Sequence, residues 1–352
     1  MSIFAAHCGV EQMVARRAHN PKAVGSSPTP ATRESPVARP GFQFSRVRSP
    51  LVANFVAVTD PMAHKAGYVN IIGEPNTGKS TLLNALLGEE LVIVNPKAQT
   101  TRHRILGLLN GEDHQVVLSD TPGILDPQYP MQERMMDAVN ESLSDADILI
   151  VMVELGQRPE RSAEMLKRAR WYKGPTVVLV NKVDTGDEDA ILAALETWQK
   201  EFPEAKVVPI SALHGLNVSE LRGYLIEKLP EHPAYFPKDE LSDRNMRFFV
   251  SEMIREKVLT IYKQEIPYST QVVVNSYEEA PDIVRIQADV IVMRESQKGI
   301  IIGKGGDSLR RLGTYSRIAI SKYIDRKVFL DLKVKVDPDW RGDADKLKKY
   351  GY

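Results

Sequence analysis

The sequence predicts an α/β domain built on a mostly parallel, doubly wound sheet, followed by a smaller α+β domain. Three observations carry this. Short apolar runs such as "YVNII" (Tyr68–Ile72) and "VVLVN" each end in a polar turn and alternate with helical periodicity. "PEHPAYFPKDELSD" (Pro230–Asp243), with three prolines and mixed charge, then breaks the pattern as a linker. Beyond it, a helical period, two alternating strands and a Gly-rich turn between helices describe a second, differently built unit.

The chain has 352 residues, enough for two domains with their own cores. Lys+Arg and Asp+Glu both number 46, so the formal net charge is zero and any nucleic-acid contact must come from a local patch. The single cysteine, Cys8, excludes internal disulfides and argues against a thiolate metal site. The seven histidines show no HxxxH or HxH spacing. Apolar runs such as "ILIVMV" (Ile148–Val153) are too short to cross a bilayer. The expected setting is cytoplasmic and reducing.

Residues 1–61 differ from the rest. Arg16, Arg17, Arg33, Arg39, Arg46 and Arg48 face only Glu11, Glu34 and Asp60. No apolar core follows a basic start, so a signal peptide fails; the composition of a mitochondrial transit peptide fits better. A plainer reading is a start placed too far upstream. "VGSSPTPAT" (Val24–Thr32) back-translates into the T-arm of a tRNA gene, and "MAHKAGYVNIIG" reads as a natural beginning at Met62. On either reading the segment is expected to be disordered.

"GEPNTGKST" (Gly73–Thr81) follows the first strand and opens a helix, which is the context a phosphate-binding loop requires. Its glycines let backbone N–H groups approach phosphate, and the helix N-terminus adds positive potential. Lys79 is placed to reach the β- and γ-phosphates, and Ser80 to ligate Mg²⁺. Leu82, Leu83, Leu86 and Leu87 form the buried stripe of that helix, and Gly88 stops it. A chance Gly-rich turn is the bland alternative, and the eight-residue match in context makes it remote.

Which nucleotide is decided by "NKVD" (Asn181–Asp184), at the end of a buried strand where ligands sit in open α/β sheets. A carboxylate at Asp184 can accept from guanine N1–H and its 2-amino group together, a donor pair that adenine lacks. Lys182 would lay its stem on the base, and Asn181 would tie the loop to the phosphate loop. The backbone of Ser211 and Ala212, in "ISAL" (Ile210–Leu213), would meet the base from the other side. GTP and GDP are therefore the expected ligands.

Between these motifs lies "VVLSDTPGI" (Val116–Ile124). Asp120 would hold Mg²⁺ through water, and the Gly123 N–H would meet the γ-phosphate. In "AQTTRHR" (Ala98–Arg104), Thr101 is the preferred Mg²⁺-sensing hydroxyl and Thr100 the close alternative. After Gly123, many GTPases place a Gln that orients the attacking water; Ile124 cannot. Turnover is then either slow, on the order of 10⁻⁴–10⁻² s⁻¹ as in unassisted GTPases, or follows another route. The side-chain carbonyl of Asn76 offers one, by ligating a monovalent cation between the α- and γ-phosphates.

In the second unit, "NMRFFVSEMIREKVLTIY" reads as a helix with Phe248, Met253, Ile254 and Val258 inward. Two strands follow, alternating at Val272/Val274 and Ile283/Ile286/Ala288. Ile302-Gly303-Lys304-Gly305-Gly306 then links two helices. This is the GxxG loop of a KH module, whose backbone clamps a single-stranded nucleic-acid backbone. Arg310, Arg311, Arg317, Lys322, Arg326 and Lys327 outnumber Asp325 and supply the local basic patch. An apolar groove is expected around Ile300, Ile301, Ile302, Leu309 and Ile320. The order helix–strand–strand–helix–GxxG–helix–strand is that of an α+β type II KH fold.

Together, "GEPNTGKSTLLNALLG", "PKAQTTRHRI", "DTPGI", "NKVD", "SAL" and "IIGKGGDSLRRLG" resemble the Era family of P-loop GTPases with a C-terminal KH domain. The resemblance runs from about Ala66 to Trp340. It implies a 62–229 GTP-binding domain, a 230–245 linker and a 246–340 KH domain; the 1–61 extension and the 341–352 tail depart from the family's usual extent, and the resemblance implies nothing about them. It implies nucleotide contacts from Gly73, Glu74, Pro75, Asn76, Thr77, Gly78, Lys79, Ser80 and Thr81. Further contacts fall to Asp120, Thr121, Pro122, Gly123, Ile124, Asn181, Lys182, Val183, Asp184, Ser211, Ala212 and Leu213. Catalysis falls to Lys79, Thr101, Gly123 and Asn76, with Mg²⁺ at Ser80, Thr101 and Asp120. Likeness to other GTPases with an Asn at position 76 points to K⁺ there. RNA contacts fall to Ile302, Gly303, Lys304, Gly305, Gly306, Arg310 and Arg311.

The family also implies a monomer acting in small-subunit assembly, bound near the 3′ end of the small-subunit ribosomal RNA, with some peripheral association with the inner membrane. The alternative is a membrane-associated signalling GTPase with the KH domain as anchor. The closing "KLKKYGY" is a weak amphipathic candidate for that, and more simply a frayed tail.

Overall fold

The structure is a computed structural model and describes residues 64–352. The expectations for residues 1–61 and for a start at Met62 lie outside the described residues.

β1 (Lys65–Ile72), β2 (Ile105–Asn110), β3 (His114–Asp120), β4 (Ile148–Glu154), β5 (Thr176–Asn181) and β6 (Lys206–Pro209) form one sheet of order β2-β3-β1-β4-β5-β6. Only the β2–β3 pair is antiparallel. This is the expected doubly wound arrangement. Ile148–Val153 is fully buried because helices cover both faces, which is why these strands read as continuous apolar runs. On one face lie α1 (Lys79–Leu87) and α5 (Val218–Lys228), through Leu82, Leu83, Leu86, Leu221 and Leu225. Leu87, expected on the buried stripe, is only half-buried. The other face is covered by α2 (Pro130–Ser144), α3 (Ala163–Trp171) and α4 (Glu188–Glu201), whose anchors include Met131, Met165 and Trp198.

The Pro-rich linker is not a free tether. It runs beside edge strand β2, where Leu108 N–H donates to Leu241 O at 2.9 Å and Asn110 Nδ2 to Glu240 O at 2.9 Å. The linker thus occupies the open edge of the sheet.

The second sheet has order β7-β8-β9, formed by β7 (Gln271–Glu279), β8 (Val284–Val292) and β9 (Val328–Val336). β7 and β8 pair antiparallel, β8 and β9 parallel. Against it pack α6 (Met246–Ile261), α7 (Glu295–Ile302) and α8 (Asp307–Ile324), around Val250, Ile254, Val258, Ile301, Leu312 and Ile320. The element order is the expected type II one.

Several inward residues differ from expectation. In α6 the buried pair is Phe249 and Val250; Phe248 and Met253 are half-buried. The Asn245 side chain caps α6 at Phe248 N–H (3.1 Å), and the expected Ile254 and Val258 are fully buried on the same stripe as Val250. In β8 the buried phase is Val284/Ile286/Ala288/Val290, so Ile283 lies before the strand. Residues 341–352 are not frayed. α9 (Ala344–Lys349) buries Leu347, and Trp340 is fully buried, with its indole N–H donating to Ser269 O at 3.0 Å. Aromatic anchors at 340, 350 and 352 outweigh the lysines between them. Among the described residues no helix is long and apolar enough to cross a membrane.

Candidate nucleotide site and its link to the GxxG loop

Residues 73–78 form the turn between β1 and α1, at the C-terminal end of the parallel strands. Gly78 has φ +103°, and the Asn181 amide sits where its Cβ would be. Only glycine fits there. The Lys79 ammonium is buried and donates to Gly73 O (3.1 Å) and Glu74 O (2.8 Å). Burial lowers its pKa to about 8, opposed by the charges of Asp120 and Glu74.

Three oxygens meet beside it. Ser80 Oγ and Thr101 Oγ1 donate to Asp120 Oδ2 at 2.8 and 3.0 Å and lie 3.0 Å from each other. Asp120 is fully buried, and its Oδ1 has no hydrogen-bond partner. Burial raises its pKa, opposed by the Ser80 hydroxyl and Lys79. A buried carboxylate with an unpartnered oxygen and two flanking hydroxyls is a hard-oxygen set that fits Mg²⁺. Thr100 instead turns away and donates to Lys97 O at 2.6 Å.

At the base end, Asn181 Nδ2 donates to Thr77 O (2.7 Å), while Asn181 Oδ1 accepts from Ala212 N–H (3.0 Å). One amide thus joins the phosphate loop, "NKVD" and "SAL". Asp184 Oδ1 accepts from Ser211 Oγ at 2.6 Å, which orients the carboxylate, and His214 stands 3.5 Å from Oδ2. Lys182 pairs with Glu154 at 2.6 Å.

A cleft of about 410 Å³ brings together Pro75, Asn76, Gly78, Lys79, Ser80, Thr81, Thr101, Gly123, Asn181, Lys182, Asp184, Ser211 and Leu213. The other expected contacts stand behind its wall: Thr77, Thr121, Pro122, Val183 and Ala212 are buried, and Gly73 and Glu74 accept from Lys79 through their carbonyls. Thr121 Oγ1 donates to Ile71 O at 2.7 Å. Ile124 is buried in the core and donates its N–H to Gly73 O at 3.0 Å, so no side chain at 124 reaches a water in the cleft.

The sequence reading missed the link from this cleft to the second unit. Arg255 of α6 is buried; its Nε donates to Glu252 Oε1 at 2.8 Å, and its guanidinium donates to the carbonyls of Gln99 (3.3 Å) and Thr100. Burial pushes the Glu252 carboxyl up, but Arg255 more than offsets this and holds it below the ordinary glutamate range. Lys97 Nζ donates to the α6 C-terminal carbonyls of Leu259 and Tyr262 (2.6 Å for Tyr262). Arg102 donates to Pro267 O (3.0 Å) and Thr270 O (2.8 Å). Tyr262 OH donates to Ile301 O (3.0 Å) and accepts from Ser308 Oγ (3.0 Å), on either side of the GxxG loop. No spacing rule marks Glu252 and Arg255, which read as an ordinary i, i+3 surface pair.

In the loop, Gly303 has φ +72° and ψ 178°, a conformation open essentially to glycine alone, and a Cβ there would lie 2.6 Å from Ser308 Cβ. Lys304 and Gly305 are exposed at its tip. The expected groove is corrected in part: Ile301 and Ile320 are core residues, Ile302 and Leu309 are half-buried, and only Ile300 is exposed. The basic patch is partly neutralised too. Arg310 pairs with Asp307 (2.6 Å), Arg326 with Glu279 (2.9 Å) and Lys322 with Glu90 (3.7 Å). Lys304, Arg311, Arg317 and Lys327 form no ion pair among the described residues.

A phosphate loop on a doubly wound sheet, joined to a type II KH unit, defines a P-loop GTPase with an appended RNA-binding fold. The family model described as "50S ribosome-binding GTPase" matches residues 68–182, and the KH domain model matches residues 265–341. The chain is 42% identical over 294 residues to GTPase Era of Staphylococcus haemolyticus, covering 82% of this chain and 97% of that protein. It is also 42% identical to the chloroplastic GTPase ERA1 of Zea mays, covering 82% of this chain and 71% of the relative. The crystal structure of Aquifex aeolicus Era Y63A bound to GDP·AlF4⁻ superposes with TM-score 0.78 at 37% identity, covering 82% of this chain and 99% of that one. So does that of Era with MgGDPNP and nucleotides 1506–1542 of 16S ribosomal RNA, with the same score and coverage. The chain belongs to the Era GTPase family.

Proposed function

We propose that this protein is a GTP-switched factor of small ribosomal subunit assembly, a cytoplasmic monomer that binds the small-subunit ribosomal RNA near its 3′ end through the KH loop. The observation that carries this is the path that runs along the chain from Thr101 to the Thr100 carbonyl, through its hydrogen bond to Arg255, and along α6 to Tyr262, which is hydrogen-bonded on both sides of the GxxG loop. The Era structure with MgGDPNP and 16S ribosomal RNA nucleotides supports the choice of RNA and nucleotide.

In this reading Asp184 selects guanine, Asn181 holds the loops together, and Lys79 meets the β- and γ-phosphates. Ser80, Thr101 and Asp120 hold Mg²⁺, which supplies charge neutralisation on the phosphates. Water attacks the γ-phosphorus, the bond to the β-phosphate oxygen breaks, and GDP and phosphate leave. Gly123 N–H faces the γ-phosphate. Asn76, exposed at the cleft mouth with φ +66°, offers its side-chain oxygen to K⁺. Equal turnover in K⁺ and Na⁺, unchanged in Asn76→Ala, would remove K⁺ from this scheme. Gly303, Lys304, Gly305 and Gly306 clamp the RNA backbone, with Ile302, Arg310 and Arg311 beside them. Loss of the γ-phosphate releases the segment around Thr101 and re-poses α6.

The test is RNA crosslinking and sequencing on the chain from Met62, with a non-hydrolysable GTP analogue and with GDP. One site at the 3′ end of the small-subunit ribosomal RNA, stronger with the analogue, is expected. Scattered sites without nucleotide dependence would leave a GTPase whose KH domain is an anchor.

A further inference from the structure

A second cluster of positive charge lies outside both sites. Arg158–Lys173 holds six basic residues against two acidic ones, a local net charge of +4 in a chain of formal net charge zero. The segment comprises a 3₁₀ turn (Pro159–Arg161), α3 and the residues just after it. α3 buries Met165, Leu166 and Ala169 against the sheet and turns Lys167 and Arg170 onto the opposite face, while Arg168 is half-buried. At the end of that face Trp171 is 67% exposed. It borders a concavity of about 710 Å³ lined also by Pro159, Lys167, Arg170, Lys173 and Glu201. None of these residues lines the nucleotide cleft. Arg170 is held by Glu201 (2.5 Å) and Arg168 by Glu164 (3.7 Å), while Arg158, Arg161 and Lys173 form no ion pair among the described residues.

We propose that this face of α3 is a second contact for single-stranded RNA. A base stacks on Trp171, and Arg158, Arg161 and Lys173 meet the flanking phosphates. The inference rests on the RNA-binding reading above and adds a contact on the GTPase unit. One exposed aromatic ring amid cations suffices for a stacked base, which any sequence can supply. Binding to a lipid surface scales with buried apolar area, and the exposed face of α3 offers a single large apolar side chain. The concavity beside the indole also suits an inserted base better than a flat bilayer.

The protein carries its own probe. Of its three tryptophans, Trp198 and Trp340 are fully buried, so acrylamide quenching of the whole chain reads Trp171. The experiment adds a labelled twenty-nucleotide oligouridylate, follows its binding by anisotropy, and compares it with phosphatidylglycerol vesicles. RNA is expected to quench Trp171 and shield it from acrylamide, with the effect reversed by salt. Trp171→Ala should weaken RNA binding roughly five- to a hundredfold, the worth of one stacked base. Lys173→Glu should weaken shielding while basal GTP hydrolysis stays unchanged. RNA that binds without altering Trp171 overturns the α3 contact and leaves the KH reading standing. Shielding by vesicles and not by RNA overturns it in favour of a membrane surface. No RNA binding at all overturns both readings.

Discussion

The guanidinium of Arg255, on α6 of the KH unit, donates to the backbone carbonyl of Thr100, one residue before the hydroxyl that meets Ser80 and Asp120. The segment that carries Thr101 and the KH unit therefore share an atom-to-atom contact, through which the proposed nucleotide switch would act. Arg255→Ala would leave the Glu252 carboxylate buried and unpaired, at a cost of about 3–5 kcal/mol. The denaturant midpoint should fall accordingly, and the GTP-analogue preference in RNA binding should shrink. The double variant Glu252→Leu/Arg255→Met should recover most of the stability, since a well-packed apolar pair is close to neutral by comparison, but not the nucleotide preference.

Nucleotide affinity should fall as pH rises above about 8. The Lys79 ammonium has its pKa lowered to about 8 by burial. A bound phosphate favours the charged form and raises it. Binding is thus fully favoured below the free-state value and lost as pH climbs from there towards the bound-state value. Calorimetry near pH 8.5 in buffers of different ionisation enthalpy should show proton uptake on GDP binding. Lys79→Ala should abolish nucleotide binding and leave RNA binding in place.

Acid should loosen the junction between the two units. The His103 ring lies against Tyr352, tilted by 33° with ring centroids 4.4 Å apart, and burial lowers its pKa to about 4 from 6.5. Between those values the unfolded chain holds more protons, so this stability is intact above about pH 6.5 and is lost as pH falls towards 4. His103→Gln should move the acid-unfolding midpoint to lower pH.

Asp184→Asn should exchange guanosine for xanthosine preference. The carboxylate, oriented by Ser211, would accept two donors from guanine in the proposed reading, whereas an amide can donate to the 2-carbonyl of xanthine. Losing a charged hydrogen bond costs about 1.5–3 kcal/mol, so GDP affinity should drop on the order of ten- to a hundredfold in competition binding.

Gly305→Asp, at φ +61° on the loop tip, adds a like charge where RNA phosphate would pass. RNA binding should weaken strongly while basal GTP hydrolysis holds. An equal loss of both would refute separate roles for the two units.

Much of this was legible in the one-dimensional pattern. The strand–loop–helix around Lys79, the strand end at Asp120, "NKVD" and the GxxG loop are short-range features: backbone turns, local glycine conformations and strand ends that a few adjacent residues dictate. The choice between Thr100 and Thr101 was not, because both are equally polar and neighbouring. Only the fold shows which hydroxyl turns to Asp120.

The sequence by itself determined the class of both units and the chemistry of the cleft, since phosphate and guanine impose residue types at fixed spacing. Tertiary structure decided three other things. It buried Arg255 with Glu252 against the carbonyls before Thr101. It docked the tail through Trp340 and Tyr352, and it paired half of the KH cations with acids distant in the chain or one helical turn away. The physical reason is range. Backbone propensity acts over a few residues, whereas burial of a charge or an aromatic ring depends on which distant segments come to cover it.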